Sequence, residues 1–198
     1  MNTASALAQL HNFTQRIVPL QPQEWEAFSS IWSPMEASRK TLLTKAGDTE
    51  RYLYFVVEGI QRIYYSKPDG KEATLVFSYA PSFAGVIDSL LLQQPSRYYM
   101  ETLTQSRFLR AHVQQWQQMV ATHSGIAALS HKALLLAMSG IMERMTELQC
   151  FTAEEKFRHL LHLRQQSGPL YFKITGELPL HLTGCLRLAS GAALCAQY

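Results

Sequence analysis

The 198-residue sequence has three cysteines and no histidine over most of its first half. The cysteines Cys150, Cys185 and Cys195 all lie in the last quarter of the chain, so free thiols rather than disulfides are expected. An iron–sulfur cluster needs four suitably placed thiolates, so the cysteine count excludes it. Because no histidine lies between His11 and His112, the β-rich part of the chain offers no histidine ligand for a metal.

The sequence also has no secretory signal and little charge. Residues 1–8 contain no basic segment followed by an apolar run, and the longest apolar runs fall short of a bilayer span. With 47% apolar and 17% charged residues, the composition is that of a globular protein. We therefore expect a cytoplasmic protein without a membrane partner. The formal net charge of +3 is too small to identify an anionic partner.

The periodicity of apolar residues predicts an α+β protein with a β-rich centre. Residues 1–30 are expected to be helical, whereas residues 37–113 contain short β-rich runs separated by turn residues. The predicted strands are residues 39–44, 52–58, 60–66, 72–79, 98–103 and 108–113. The clearest turn is Lys67-Pro68-Asp69-Gly70, which predicts a hairpin between the third and fourth of these strands.

The part after the strands is predicted to be helical. Residues 114–123 form a short helix, and residues 124–149 form a long one that contains no proline. Gly125 and Gly140 weaken the long helix but do not end it. Residues 152–155 (Thr-Ala-Glu-Glu) have the pattern of a capping box, which predicts a further helix up to about residue 166.

The long helix carries an apolar seam with alternating steps of four and three residues, as in a coiled coil. The residues of this seam are Leu134, Met138, Ile141, Met145 and Leu148. Leu135, Leu136 and Met142 occupy other faces, so the helix needs apolar cover on two sides. A β-domain on one side and a second subunit on the other would supply it. The alternative is the central helix of a monomeric core.

This order of elements resembles the cyclic-AMP receptor and fumarate-nitrate regulator (CRP/FNR) family. The resemblance is closest in residues 42–48 (Leu-Leu-Thr-Lys-Ala-Gly-Asp) and 52–62 (Tyr-Leu-Tyr-Phe-Val-Val-Glu-Gly-Ile-Gln-Arg), and it extends over residues 20–166. It implies an antiparallel β-roll (a jelly-roll, cyclic-nucleotide-binding-like) with flanking helices, a long dimerisation helix and a C-terminal helix-turn-helix. The implied domains are residues 1–123 for effector binding, 124–149 for dimerisation and 150–198 for the C-terminal module.

The resemblance also implies a nucleotide pocket, from which this sequence departs. Gly85 is retained, but Val86 stands where the family has the carboxylate that binds the ribose. Ser96 stands at the position of the phosphate-binding arginine, and Arg97 follows one place later. A shift of one residue along a strand places the side chain on the opposite face of the sheet. We therefore expect the Arg97 side chain to point away from the pocket, and cyclic AMP not to bind. The candidate effector-pocket residues are Gly85, Val86, Ile87, Asp88, Ser96, Arg97 and Tyr98.

Two of these residues allow a different interpretation. Asp88 and Arg97 could together hold another polar ligand, or they could be a solvated loop residue and a solvated strand-end charge.

No metal or cofactor is predicted, because His159 and His162 share a helix face but lack a third ligand at suitable spacing. His112, His123 and His131 are interpreted as surface or helix-cap residues.

The C-terminal segment resembles only part of a helix-turn-helix. Residues 179–190 are similar to its first helix and turn, but residues 191–198 replace a recognition helix with Gly, Ala, Leu, Cys, Gln and Tyr. The candidate DNA contacts are Arg187, Ser190 and Gln197. Because Arg187 is the only Lys or Arg after Lys173, DNA binding is expected to be weak. A truncated or frame-shifted terminus and a naturally divergent helix are both consistent with this segment.

The sequence therefore predicts a homodimeric CRP/FNR-like transcription regulator that is not an enzyme and senses an unidentified small-molecule effector. An alternative is an effector-binding module that acts by protein contact without DNA. A third class, the cupin-type β-roll enzyme, is disfavoured because its metal needs strand histidines that this sequence lacks.

Overall fold

A computed structural model describes residues 2–152, 154 and 155 of the chain. In this part the helices are α1 (Thr3–Ile17), α2 (Pro22–Ser30), α3 (Ile87–Leu92), α4 (Val113–Thr122) and α5 (Ser124–Cys150). The strands are β1 (Ser33–Ala37), β2 (Leu42–Thr44), β3 (Tyr52–Glu58), β4 (Ile60–Ser66), β5 (Glu72–Tyr79), β6 (Ser82–Ala84), β7 (Tyr99–Thr102) and β8 (Ser106–His112).

The eight strands form two antiparallel sheets of four strands each. The first sheet has the order β1-β8-β3-β6, and the second has the order β2-β7-β4-β5. Chain neighbours β3 and β4 lie in different sheets, so the chain rolls from one sheet to the other after Glu58. The predicted antiparallel β-roll with flanking helices and a long following helix is confirmed.

The predicted hairpin joins β4 to β5. The Gly70 N–H donates to the Lys67 carbonyl at 2.9 Å, and the Lys67 N–H donates to the Lys71 carbonyl at 2.8 Å. The Asp69 carboxylate accepts from the Lys71 N–H at 3.0 Å. Proline and Asp-Gly therefore produce the turn that their usual preferences predict.

Two strands and one helix were not predicted from the sequence. Strand β1 contains Pro34, which ordinarily argues against a strand, but β1 lies at the edge of its sheet, where a missing N–H is tolerated. The three-residue strand β6 directly follows Pro81, and the six-residue helix α3 is too short for a helical period.

The first sheet separates two apolar cores. Along β3, Tyr54 and Val56 face the space between the sheets, whereas Leu53 and Phe55 face the helices. We call the inner cluster the roll core; its buried members are Ala37, Tyr54, Val56, Ile63, Ala84, Val86, Met100 and Phe108. The outer cluster, the helical core, joins this sheet to α1, α2, α4 and α5. Because β3 is buried on both faces, its sequence is a nearly continuous run of apolar residues.

The start of α5 is fixed to the rest of the protein. Ile126 and Leu129 are fully buried in the helical core. The Glu24 carboxylate accepts from the Gly125 N–H at 2.7 Å and from the Gln21 N–H at 3.2 Å. One carboxylate therefore caps the N-termini of both α2 and α5, which satisfies backbone donors that a helix start leaves unpaired.

The described chain ends shortly after α5. Cys150 is exposed and forms no disulfide within the described part of the chain, and Cys185 and Cys195 lie outside it. The Thr152 N–H donates to the Glu155 carboxylate at 2.8 Å, and the Glu155 N–H donates to the Thr152 hydroxyl at 3.3 Å, which is the predicted capping box. The candidate DNA contacts Arg187, Ser190 and Gln197 lie outside the described residues.

Candidate effector site

The residues predicted to form the effector pocket lie on two sides of the first sheet. Val86 is only 2% exposed and packs in the roll core, where it precedes the first turn of α3. Tyr98 packs against the same core. Ile87, by contrast, packs against the helical core, and Asp88 is exposed. The sequence-predicted set is therefore divided between the roll core, the helical core and solvent.

The second half of the predicted pocket is a loop with its polar groups in use. Ser96 is buried, and its hydroxyl donates to the Tyr98 carbonyl at 2.8 Å and accepts from the Tyr98 N–H at 2.9 Å. The main chain of Ser96 also bonds to Gly47 and Asp48, at 2.8 and 2.9 Å. Arg97 is exposed, with its guanidinium 5.8 Å from the centre of the Tyr98 ring. Ser96 therefore closes the loop, and Arg97 lies on its outside.

Glu50 forms a buried polar junction that the sequence did not reveal. Its carboxylate accepts from the N–H groups of Arg51 and Tyr52, at 2.9 and 3.1 Å, and contacts the Thr44 hydroxyl. Its own N–H donates to the Ser89 hydroxyl at 3.0 Å. Burial raises the pKa of Glu50, and the hydrogen bonds from Thr44 and the backbone oppose this rise. Glu50 therefore ties β2, β3 and α3 together beside Val86.

A basic and aromatic cluster lies on the inner face of β3 and β8. Arg110 shares a strand face with Phe108, and its guanidinium lies 4.7 Å from the centre of the Tyr52 ring. The His112 ring meets the edge of the Tyr52 ring at 5.3 Å between centres. Burial raises the pKa of Tyr54, and the Glu50 charge raises it further, whereas Arg110 lowers it. Arg110 therefore lies close enough to the roll core to act electrostatically on a buried hydroxyl.

His112 has a structural role besides this contact. It is the N-cap of α4, and its Nδ1 atom accepts from the Gln114 N–H at 3.3 Å, in agreement with the predicted cap. The sequence did not identify Arg110, because β8 is buried on both faces. The buried Leu109 and Ala111 hide the alternation of apolar and polar residues that would mark the inner face of the strand. The spacing of Phe108 and Arg110 was the signal that could have placed Arg110 inside the roll.

An apolar groove separates the roll from α5. It encloses about 480 Å³, including space open to solvent. Its lining is almost entirely apolar and comprises Leu53, Phe83, Ile87, Leu90, Leu91, Trp116, Ser130, Ala133, Leu134 and Ala137. The groove joins the predicted pocket to the predicted dimer seam, because Ile87 follows Val86 and Leu134 belongs to the seam.

Beyond its first turns, α5 leaves most of its apolar side chains uncovered. The exposed apolar residues are Leu134, Leu135, Met138, Ile141, Met142 and Met145. By length and composition, the helix Ser124–Glu147 could cross a membrane. Its uninterrupted apolar runs are nevertheless short, as the sequence indicates, because His131 and Lys132 and later Glu143 and Arg144 divide them. A single such helix is weak evidence for a membrane span.

Comparison with known proteins identifies the β-roll. Residues 34–123 match the family of cyclic nucleotide-binding domains. No curated protein sequence is similar enough to count as a match.

Several solved structures share this fold. The catabolite activator protein of Thermus thermophilus is 20% identical with a TM-score of 0.55, covering 75% of this chain and 70% of its own. The global regulator CLP of Xanthomonas campestris, described as responsive to c-di-GMP, is 18% identical with a TM-score of 0.57, covering 74% and 73%. A cyclic nucleotide-binding domain from Methylobacillus flagellatus is 14% identical with a TM-score of 0.63, covering 73% and 83%. Residues 34–123 therefore match a cyclic nucleotide-binding domain, and these solved structures share its fold.

Proposed function

We propose that this chain is a CRP/FNR-like transcription regulator whose β-roll senses a small-molecule effector other than cyclic AMP. The observation that carries this proposal is that Val86 is apolar and buried, at the position where the family resemblance expects the carboxylate that binds the ribose. Valine cannot accept a hydrogen bond from a ribose hydroxyl. Ser96 brings no positive charge to a phosphate, and its hydroxyl is bonded within its own loop. The fold of the sensor is kept, and its nucleotide-binding groups are replaced.

Calorimetry with cyclic AMP tests the exclusion of the nucleotide. We expect no measurable binding heat for the full chain. A dissociation constant near the micromolar range, about −8 kcal/mol, would overturn this part of the proposal and show that Arg97 reaches the phosphate. The Arg97→Gln variant then decides whether that residue is responsible.

The proposal includes a homodimer made by α5. Met138 is 61% exposed and Ile141 is 46% exposed in the single chain, and with Leu134 and Met145 they form one apolar stripe. Such a stripe, at coiled-coil spacing, is stabilised when a second copy covers it. Leu148 belongs to the predicted seam, but its side chain is outside the described set.

A second chain explains this stripe better than a bilayer does. Ile126 and Leu129 are fully buried in the helical core, and the Gly125 N–H is bonded to Glu24. A span over Ser124–Glu147 would have to remove these residues from the protein and leave their partners exposed. We therefore place the regulator in the cytoplasm.

We also propose that this chain binds DNA weakly. Residues 190–198 contain no cation, and base recognition in the major groove depends strongly on arginine and other multivalent donors. Selection from a random duplex library should therefore yield no consensus at physiological salt. Recovery of a palindrome with half-sites one helical turn apart would contradict this expectation.

A further inference from the structure

Arg110 differs from the other half-buried arginines of the described chain. Arg62 pairs with Glu101 at 2.6 Å, and Arg144 pairs with Glu147 at 2.8 Å. Among the described residues, Arg110 has no carboxylate partner. Its side chain makes one weak hydrogen bond there, from Nη1 to the Met35 sulfur at 3.7 Å, and its buried Nε has no partner.

An unpaired guanidinium in this position carries a cost in folding free energy. Taking a charge out of water is unfavourable unless an opposite charge or hydrogen bonds compensate it. The Tyr52 ring offers a favourable face to the cation, but a ring accepts no directed hydrogen bond from Nε. An anion that reaches this rim of the roll would supply both the charge and the acceptors.

The surroundings of Arg110 indicate which anion fits. Tyr52 lies on one face of the guanidinium, so a ligand would have to pair with the N–H edge, where the buried Nε has no partner and Nη1 contacts the Met35 sulfur. A planar carboxylate matches that edge with two parallel hydrogen bonds. Phe108 and Tyr54 belong to the adjoining roll core and Met35 packs against it, and this apolar surface favours an apolar body on the ligand. A cyclic phosphate would instead require donors that the Ser96 loop does not offer.

We propose that Arg110, with Tyr52 beside it, anchors a binding site at the rim of the roll core for a small carboxylate with an aromatic or aliphatic body. This inference rests on the proposed function in so far as the carboxylate is the effector. It places the anchoring cation on β8 rather than in the loop that contains Arg97.

The full chain is titrated with benzoate and with hexanoate, and binding is measured by thermal unfolding and calorimetry. At least one of the two should raise the unfolding midpoint saturably, whereas benzamide, the neutral counterpart of benzoate, should not. Arg110→Gln should weaken this binding at least tenfold, as expected for a lost charge-assisted pair. Arg107→Gln, which removes an exposed arginine from the other face of β8, is the matched control and should leave binding unchanged.

Three results would overturn the site. The first is the absence of saturable binding of either carboxylate to the full chain. The second is equal binding by Arg110→Gln, or loss of binding in the Arg107→Gln control. The third is binding of inorganic phosphate that depends on Arg110, without binding of either carboxylate. The site would then bind a different class of anion from the one proposed. Should Arg110→Gln fail to fold, Arg110→Lys keeps the charge but loses the planar donor pair, and binding should fall about tenfold.

The unliganded protein provides a second measurement. Because Arg110 has no carboxylate partner among the described residues, Arg110→Met should keep or raise the urea midpoint of unfolding. A clear fall in this midpoint would show that Arg110 is a structural residue and contradict the site.

The experiments distinguish failure of the proposed site from failure of the proposed function. Carboxylate binding without an effect on DNA or partner binding would preserve the site alone, whereas regulation by another effector without carboxylate binding would preserve the function alone.

Discussion

Glu50 shows how a single buried carboxyl can make the stability of this domain depend on pH. Its carboxylate lies at the junction of β2, β3 and α3 and accepts two backbone N–H groups. Burial is the largest influence on it and raises its pKa above the ordinary value of 4.5. The folded protein therefore holds a proton at Glu50 at pH values where the unfolded chain has released it.

The upward shift of the Glu50 pKa predicts how the Glu50→Gln variant changes the pH dependence of stability. The stabilising effect of the protonated carboxyl is complete below about pH 4.5 and is lost as pH rises through the higher pKa of the folded state. Glutamine keeps acceptors for Arg51 and Tyr52 but does not titrate. The free energy of unfolding of the variant, relative to the natural protein, should therefore rise as the pH increases above about 4.5. Urea unfolding at several pH values measures it, and a constant or falling difference would contradict the prediction.

Gly59, at the crossing from β3 to β4, has a positive φ of 98° and almost no free space. A Cβ atom there would meet the Ser106 hydroxyl and approach the Gln105 carbonyl oxygen to 2.7 Å. We expect Gly59→Ala to lower the free energy of unfolding by at least ~2 kcal/mol. Gly47→Ala is the matched control, because Gly47 has a similar φ of 94° but no atom within 4 Å, and should cost about 1 kcal/mol. Equal losses in chemical denaturation would show that the contacts at Ser106 are unimportant.

At the scale of elements, Gly125 reverses the usual effect of glycine in a helix. Alanine normally stabilises a helix by up to about 1 kcal/mol relative to glycine. Here a Cβ atom would collide with the Glu24 carboxylate that caps α5. Gly125→Ala should therefore destabilise the protein by ~1–2 kcal/mol, through loss of the cap and of the contact between α2 and α5.

A double-mutant cycle with Glu24→Ala tests this explanation. Glu24→Ala alone should also cost ~1–2 kcal/mol, because the N–H groups of Gln21 and Gly125 lose their acceptor. In the Glu24→Ala background, Gly125→Ala should cost nothing or stabilise the protein. Additive losses would show that the two residues act independently.

The elements that the sequence predicted well are those in which pattern and turn chemistry agree. The limits of β3, β4 and β5 match the predicted runs 52–58, 60–66 and 72–79, because Gly59 and the 67–70 turn separate them clearly. Strands β1 and β6 were missed because each contains or follows a proline. Their place at an edge of the first sheet is a property of the tertiary structure.

The candidate site was predicted less completely than the fold. The choice of Val86 and Ser96 depended on a family resemblance that assigns a role to their positions, and it stays a prediction. Arg110 has no such pattern, and its meaning depends on what surrounds it after folding. The absence of a described carboxylate within ion-pair distance of Arg110, and the Tyr52 ring beside it, result from long-range packing that periodicity does not encode.

At the scale of the whole molecule, Ile141 tests the predicted dimer seam. Ile141→Asp should dissociate the dimer, because an aspartate would be buried against the partner without a compensating charge. Gln117→Asp adds the same charge at an exposed position of α4 and should leave the dimer intact. Sedimentation velocity of the two variants compares them. Dissociation by both substitutions, or by neither, would contradict the assignment of the seam.

The most direct test of the central claim is the molar mass of the unmodified chain in solution. A dimeric regulator whose α5 helices cover each other should show twice the 22.5 kDa chain mass by multi-angle light scattering at micromolar concentration. The exposed stripe of Leu134, Met138, Ile141 and Met145 is the physical reason for this expectation. A mass of one chain over the whole micromolar range would contradict the account.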